Sequence, residues 1–168
     1  MANEWKIEQL ASIHEHLDEL SELLIEVVED GASIGFLPPL TRSEAEKYWQ
    51  SVIAPDTLLF IAAADGRIAG SVQLQLSMKQ NGGHRAEIAK LMTHPAYRRK
   101  GIARALMQHA EQRAKLEGRT LLVLDTREGD ASNLLYASLG YIQAGRIPDY
   151  ARSANGQLDA TIFYYKKC

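Results

Sequence analysis

The chain has 168 residues, with 21 acidic and 19 basic side chains and a net charge of −2 when histidines are neutral. At roughly 150 residues per domain this length predicts one domain, residues 1–168; the charge balance excludes a dedicated nucleic-acid binder, whose domain is usually strongly basic. A hydrophobic fraction of 46% excludes a disordered chain, and a single cysteine, Cys168, excludes an internal disulfide or a cysteine-built metal site. Glu4, Lys6 and Glu8 interrupt the N-terminus where a signal peptide needs an apolar core. No run reaches the ~18 apolar residues of a membrane span. The expectation is a cytoplasmic protein without membrane, nucleic-acid or metal partners.

In chain order, Leu10, Ile13, Leu17, Leu20, Leu24 and Val27 recur at steps of three and four, which predicts one long amphipathic helix ending at Gly31. His14 and His16 fall among its charges and read as surface residues. Ala32 to Leu40 is apolar yet rich in breakers, hence an ordered loop that packs on the core or covers a ligand. Thr41 or Ser43 caps a second helix through roughly Ser51. Thr57 to Ala64 and Arg67 to Met78 are strands joined by an Asp65-Gly66 hairpin turn. Arg85 to Thr93 follows the Asn81-Gly82-Gly83 turn as the third strand of this meander. Ile102, Leu106, Ala110 and Ala114 mark a helix closed by Gly118. The unbroken apolar run Leu121 to Leu124 predicts a strand covered on both faces. A short helix from about Ala131 to Leu139 precedes two strands, Tyr141 to Tyr150 and Leu158 to Lys166. The sum is one mixed α/β sheet flanked by helices.

The segment richest in chemistry runs from Leu91, Met92 and Thr93 through Arg98, Arg99, Lys100 and Gly101 to Ile102, Ala103 and Arg104. A strand leads into a cationic loop with one glycine, and a helix opens at once. Unpaired N–H groups and the dipole make a helix start electropositive, and cations at that end call for a reason. A bound polyanion such as a pyrophosphate is one; a merely solvated charge run is the competing reading.

Arg98-x-x-Gly101-x-Ala103 between a strand and a helix resembles the acyl-CoA-binding signature of the GCN5-related N-acetyltransferases (GNAT). Asn133-x-x-Tyr136, Leu139-Gly140-Tyr141 and the order of elements extend the resemblance over nearly the whole chain. Within the superfamily the sequence is more similar still to the tabtoxin-resistance acetyltransferases, which acetylate a β-lactam amino acid. Gly31 to Phe36, Arg85-Ala86-Glu87, Lys90-Leu91-Met92, Leu124-Asp125-Thr126 and Pro148 to Tyr150 carry that likeness.

The resemblance implies a largely antiparallel sheet that splays between the strands ending at Thr93 and Asp125 to take acetyl-CoA. The pyrophosphate would lie on the N–H groups from Arg99 through Arg104, and the pantetheine arm against the backbone of Leu91 to Thr93. Asn133 and Tyr136, three apart on one helix face, would reach the thioester end. Tyr136 is the implied acid for the thiolate, with aromatic core packing as its structural alternative. Asp125 is the implied residue that orients or deprotonates the acceptor amine, or else it caps a turn. Glu87 matches the position of the base of many relatives, or else it is a salt-bridge partner of Arg85 or another cation. Phe36, in the apolar loop, joins Asp125 at the expected acceptor site. His94 reads as structural.

A lysine-like amine with pKa ~10.4 is only about 0.04% neutral at pH 7, so deprotonation is a major obstacle, whether a carboxylate or a water relay removes the proton. The expected activity is direct acetyl transfer to a small amino-acid-like amine, of the kind that detoxifies antibiotics or toxins. Alternatives are a peptide or protein N-acetyltransferase and a non-catalytic acyl-CoA sensor. Donor length is open, and a homodimer follows only from the resemblance.

Overall fold

The computed structural model describes residues 5–168. Its elements are β1 (Lys6–Leu10), α1 (Leu17–Glu29), α2 (Arg42–Val52), β2 (Thr57–Ala64), β3 (Arg67–Leu76), β4 (Arg85–Thr93), α3 (Ile102–Leu116), β5 (Leu121–Arg127), α4 (Ser132–Ser138), β6 (Ile142–Arg152) and β7 (Leu158–Lys167). Seven strands form one sheet in the order β1-β2-β3-β4-β5-β7-β6. Every neighbouring pair is antiparallel except β4 with β5.

The long helix expected from Leu10 begins only at Leu17. Leu10 instead ends β1, which pairs with β2 from Lys6 opposite Ala63 to Leu10 opposite Leu59. A single 3-10 turn at His14–His16 leads into the helix. Leu10, Ile13, Leu20, Leu24 and Val27 all pack in one cluster. Their spacing therefore reports a shared core, and strand, turn and helix present them to it in succession.

Local chemistry sets the other boundaries. Thr41 and Glu44 form a reciprocal capping box on α2: Thr41 Oγ1 accepts from Glu44 N at 3.2 Å, and Glu44 Oε2 accepts from Thr41 N at 3.0 Å. Asp65 and Gly66 both take positive φ (51° and 73°), the conformation of a tight two-residue hairpin turn. Trp49, fully buried, donates its indole N–H to Leu20 O at 2.8 Å and so locks α2 to α1.

Two apolar clusters lie on opposite faces of the sheet. One joins α1 and α2 to Leu59, Ile61, Ile68 and Met92. The other joins α3 and Tyr136 of α4 to Phe60, Val72, Leu74, Ile88, Leu122, Leu124 and Ile162. Coverage of β5 corrects the sequence-based expectation. Leu122 and Leu124 are buried under the α3 side, but Leu121 and Val123 remain part-exposed. The apolar run is thus fully covered on one face only, because the α1–α2 cluster draws its sheet residues from β1, β2, β3 and β4. At the far edge every residue of β6 is exposed, and Pro148, which lacks an N–H, interrupts its pairing with β7.

Candidate active site

Strands β4 and β5 run together for three residues each, Arg85, Ala86 and Glu87 against Leu121, Leu122 and Val123. Beyond this point β4 stays with β3 through Thr93, while β5 stays with β7 through Arg127. The two strands part, and residues 88–93 have no strand partner on the β5 side. The opening is a cleft of about 930 Å³, the splay expected between Thr93 and Asp125.

A bulge shapes the β4 wall. Ser71 pairs with Met92 and Gln73 with Ala89, so Lys90 and Leu91 together face Val72. Lys90 takes φ 56°, a left-handed conformation rare outside glycine. Its Nζ donates to Ile34 O at 2.7 Å, bringing the loop after α1 onto the strand.

One end of the cleft suits an anion. Arg99 (φ 61°) and Gly101 (φ 81°) both adopt left-handed backbone and turn the chain sharply into α3. That helix has no side-chain cap and no acidic residue in its first turn, so its first N–H groups are left for an outside acceptor. Arg98, Arg99, Gly101, Ile102, Ala103 and Arg104 line the cleft here. Arg98 is ion-paired with Asp30, and Arg104 donates to Ser138 Oγ at 2.7 Å. Lys100 stands outside the lining, with its ammonium 5.4 Å from the centre of the Tyr97 ring. His94 has a structural place: its Nδ1 accepts from Ala96 N at 3.1 Å, and its Nε2 faces Glu26 at 3.5 Å.

At the middle of the cleft Glu87, Asp125 and Tyr136 come together in the lining, with Leu91, Met92 and Thr93 leading toward them. Asp125 is held by Thr161, whose Oγ1 donates to Oδ2 at 2.7 Å. Glu87 is exposed along the open side of the cleft, and partial burial against the walls pushes its carboxyl above its usual range; the Asp125 charge adds to this and Lys90 opposes it. Arg85 is not the partner of Glu87. Tyr136 packs edge-on to Tyr141 and Tyr164, each with centroids 5.9 Å away. Burial first, then the charges of Asp125, Tyr164 and Asp130, pushes its phenol well above the ordinary tyrosine range. Alternation along β5 places Asp125 with Val123, opposite to Leu122 and Leu124, which share the Tyr136 cluster. A carboxylate and a phenol thus approach the gap from opposite faces of the sheet.

Two expected residues do not join this group. Asn133 is spent on its own turn: Nδ2 donates to the carbonyls of Arg127 and Asp130, both at 2.9 Å, and Oδ1 accepts from Tyr164 at 2.7 Å. Phe36 lies outside the lining, with its ring edge-on to Tyr48 at 5.1 Å. Two residues escaped the sequence reading. Lys90 lies in a stretch that carries the family likeness, with no role implied for it there. Arg127 spans three segments: Nε binds Asp130 Oδ1 (3.0 Å), and the terminal nitrogens donate to Ser153 Oγ (3.0 Å) and Gly31 O (3.0 Å).

The profile of the Acetyltransferase (GNAT) family matches residues 17–141. An uncharacterized N-acetyltransferase from the hisH-hisA intergenic region of Azospirillum brasilense is 34% identical over 115 residues, covering 67% of this chain and 68% of that protein. The ribosomal protein bS18 alanine N-acetyltransferase of Escherichia coli K12 is 28% identical over 119 residues, 70% of this chain and 77% of its own. Among solved structures, a GNAT acetyltransferase from Streptococcus pneumoniae superposes with TM-score 0.82 at 19% identity, covering 98% of this chain and all of that one. The splayed sheet, the uncapped helix start and these matches agree: the chain belongs to the acetyltransferase (GNAT) family and is an acetyl-CoA-dependent N-acetyltransferase.

Proposed function

We propose that the enzyme transfers acetyl directly, within a ternary complex, to the primary amine of a small amino-acid-like molecule, as the tabtoxin-resistance enzymes it resembles do. The observation that carries this is the walling of the acceptor end. Arg127 ties the loop at Gly31 to Ser153 in the β6–β7 hairpin. Tyr150, Ala151 and residues 159–161 close the same side. Such a wall favours a compact acceptor over an extended chain.

The residues present fit acetyl-CoA. The start of α3 offers N–H groups to the pyrophosphate, and the unpartnered edge of residues 88–93 offers backbone groups to the pantetheine amides. The bound co-substrate supplies an acetyl group activated as a thioester. Asp125, fixed by Thr161, orients the acceptor amine, and Glu87 takes a proton from it directly or through water. Tyr136 then returns a proton to the departing sulfur, so that charge does not accumulate on the thiolate. The α3 turn depends on Gly101, where a side chain would strain the left-handed backbone by about 1–2 kcal/mol. Gly101→Val is expected to weaken acetyl-CoA binding about 10-fold, as read by calorimetry.

Because the carboxyl of Glu87 is pushed up, its proton-accepting form is lost as pH falls through a value above the ordinary glutamate range. The acid limb of kcat/KM is expected there, and Glu87→Gln is expected to remove that limb and lower kcat/KM by about 100-fold. A limb unchanged in Glu87→Gln would transfer the role to water or Asp125.

The deciding experiment is CoA release against amino acids, a tabtoxin-like β-lactam amino acid, polyamines, aminoglycosides and peptides beginning with alanine. Turnover confined to small amino-acid-like amines is the expected result. The 28% identity to a ribosomal-protein acetyltransferase favours a second reading, a peptide N-terminus as acceptor. Turnover on the peptides alone would establish it. Silence with tight acetyl-CoA binding would leave either an acceptor outside this panel or a sensor.

A further inference from the structure

We infer that Lys90 is the specificity-determining residue that reads a carboxylate on the acceptor, while Asp125 and Glu87 read its amine. The inference rests on the small-acceptor reading above and adds a chemical requirement to it.

The arrangement follows from three observations. First, Lys90, Glu87 and Asp125 line the same cleft; burial pulls the Lys90 ammonium below its usual range, and the charges of Asp125 and Glu87 oppose that pull. A zwitterion meets groups of both signs there. Second, Lys90 is half-buried, yet its one protein hydrogen bond among the described residues goes to a backbone carbonyl, Ile34 O. An ammonium has three donors, so two remain for a ligand. Third, the other cations of the lining are ion-paired, hydrogen-bonded or placed at the start of α3. Arg127 uses three of its five N–H donors on Asp130, Ser153 and Gly31, and its charge is paired with Asp130. Arg98 faces Asp30, Arg104 bonds Ser138, and both stand with Arg99 at the start of α3. Away from the start of α3, Lys90 is the lining cation that makes no ion pair among the described residues, whereas Arg127 is paired with Asp130.

The bulge explains how a strand residue comes to do this. The left-handed turn at Lys90 breaks the alternation of β4, and Gly35 leaves room for the ammonium: a Cβ at that position would sit 3.0 Å from Nζ. The Phe36 ring, 5.9 Å from Nζ, lies beside the same charge.

The test uses probes that carry no amine, so that only the carboxylate differs. N-acetylalanine and N-acetylalaninamide are titrated calorimetrically into the protein with CoA already saturating, which blocks the anion site at α3. Wild type is expected to bind the acid about 10- to 100-fold more tightly than the amide, the range of a charge-assisted hydrogen bond. Lys90→Met is expected to bring the ratio close to one, with its thermal unfolding recorded alongside. Equal affinity for acid and amide in wild type overturns the proposal without any variant. A preference that survives in folded Lys90→Met overturns it as well. Failure of every small amine to react would refute the small-acceptor reading separately, since these binding ratios need no turnover.

Discussion

Replacing Tyr136 by phenylalanine is expected to lower kcat by about 100-fold or more, while the KM for acetyl-CoA stays within about 2-fold. A positioned acid typically contributes ~10²–10⁴-fold, and Tyr136 has the features of one. The residue is only 6% exposed, yet it still lines the cleft. Burial and neighbouring negative charge keep its proton in place at any physiological pH, so the acid form is always the populated one. Phenylalanine preserves the edge contacts to Tyr141 and Tyr164, which makes the change chemical rather than structural. Single-turnover measurement of CoA release isolates the transfer step. A kcat equal to wild type in that experiment would mean that solvent protonates the sulfur, and Tyr136 would revert to a core aromatic.

The largest effect on stability is expected at Trp49, which is not itself a lining residue of the cleft. Trp49→Ala removes a fully buried indole between α1 and α2, its bond to Leu20 O and its edge contact with Tyr48 at 5.2 Å. Large-to-small changes of this kind cost about 3–5 kcal/mol, equivalent to a Tm lower by on the order of 10 °C in a chain of this size. Urea unfolding reads it as a lower midpoint with an unchanged slope. A loss under about 1 kcal/mol would show that α1 and α2 collapse into the gap. The consequence also reaches function, because Phe36 packs on Tyr48 and belongs to the loop that meets Lys90.

Legibility from sequence followed the range of the forces involved. β2 and β4 were readable to their end residues, because alternation and turn glycines are local signals. β1 was not: five residues with mixed polarity become a strand only because the edge of β2 is there to pair with. The anion end of the cleft was legible because a helix start, a glycine and three cations are contiguous in the chain. Its centre was legible only in part. Tyr136, Asp125 and Glu87 were identified through a family pattern, and long-range packing brings them together. Asn133 shared that pattern, yet an amide near the start of a short helix finds nearby carbonyls first. The left-handed turn at Lys90 had no sequence cue, since neither glycine nor asparagine marks it.

The three-way grip of Arg127 joins segments that lie 96 and 26 positions away along the chain, at Gly31 and Ser153. Neither the loop nor the hairpin can swing outward without breaking the same guanidinium contacts. The two sides of this end of the cleft are therefore coupled through one side chain. Amide exchange in residues 31–35 and 153–159 should slow together when an acceptor binds, although these stretches are strangers in sequence.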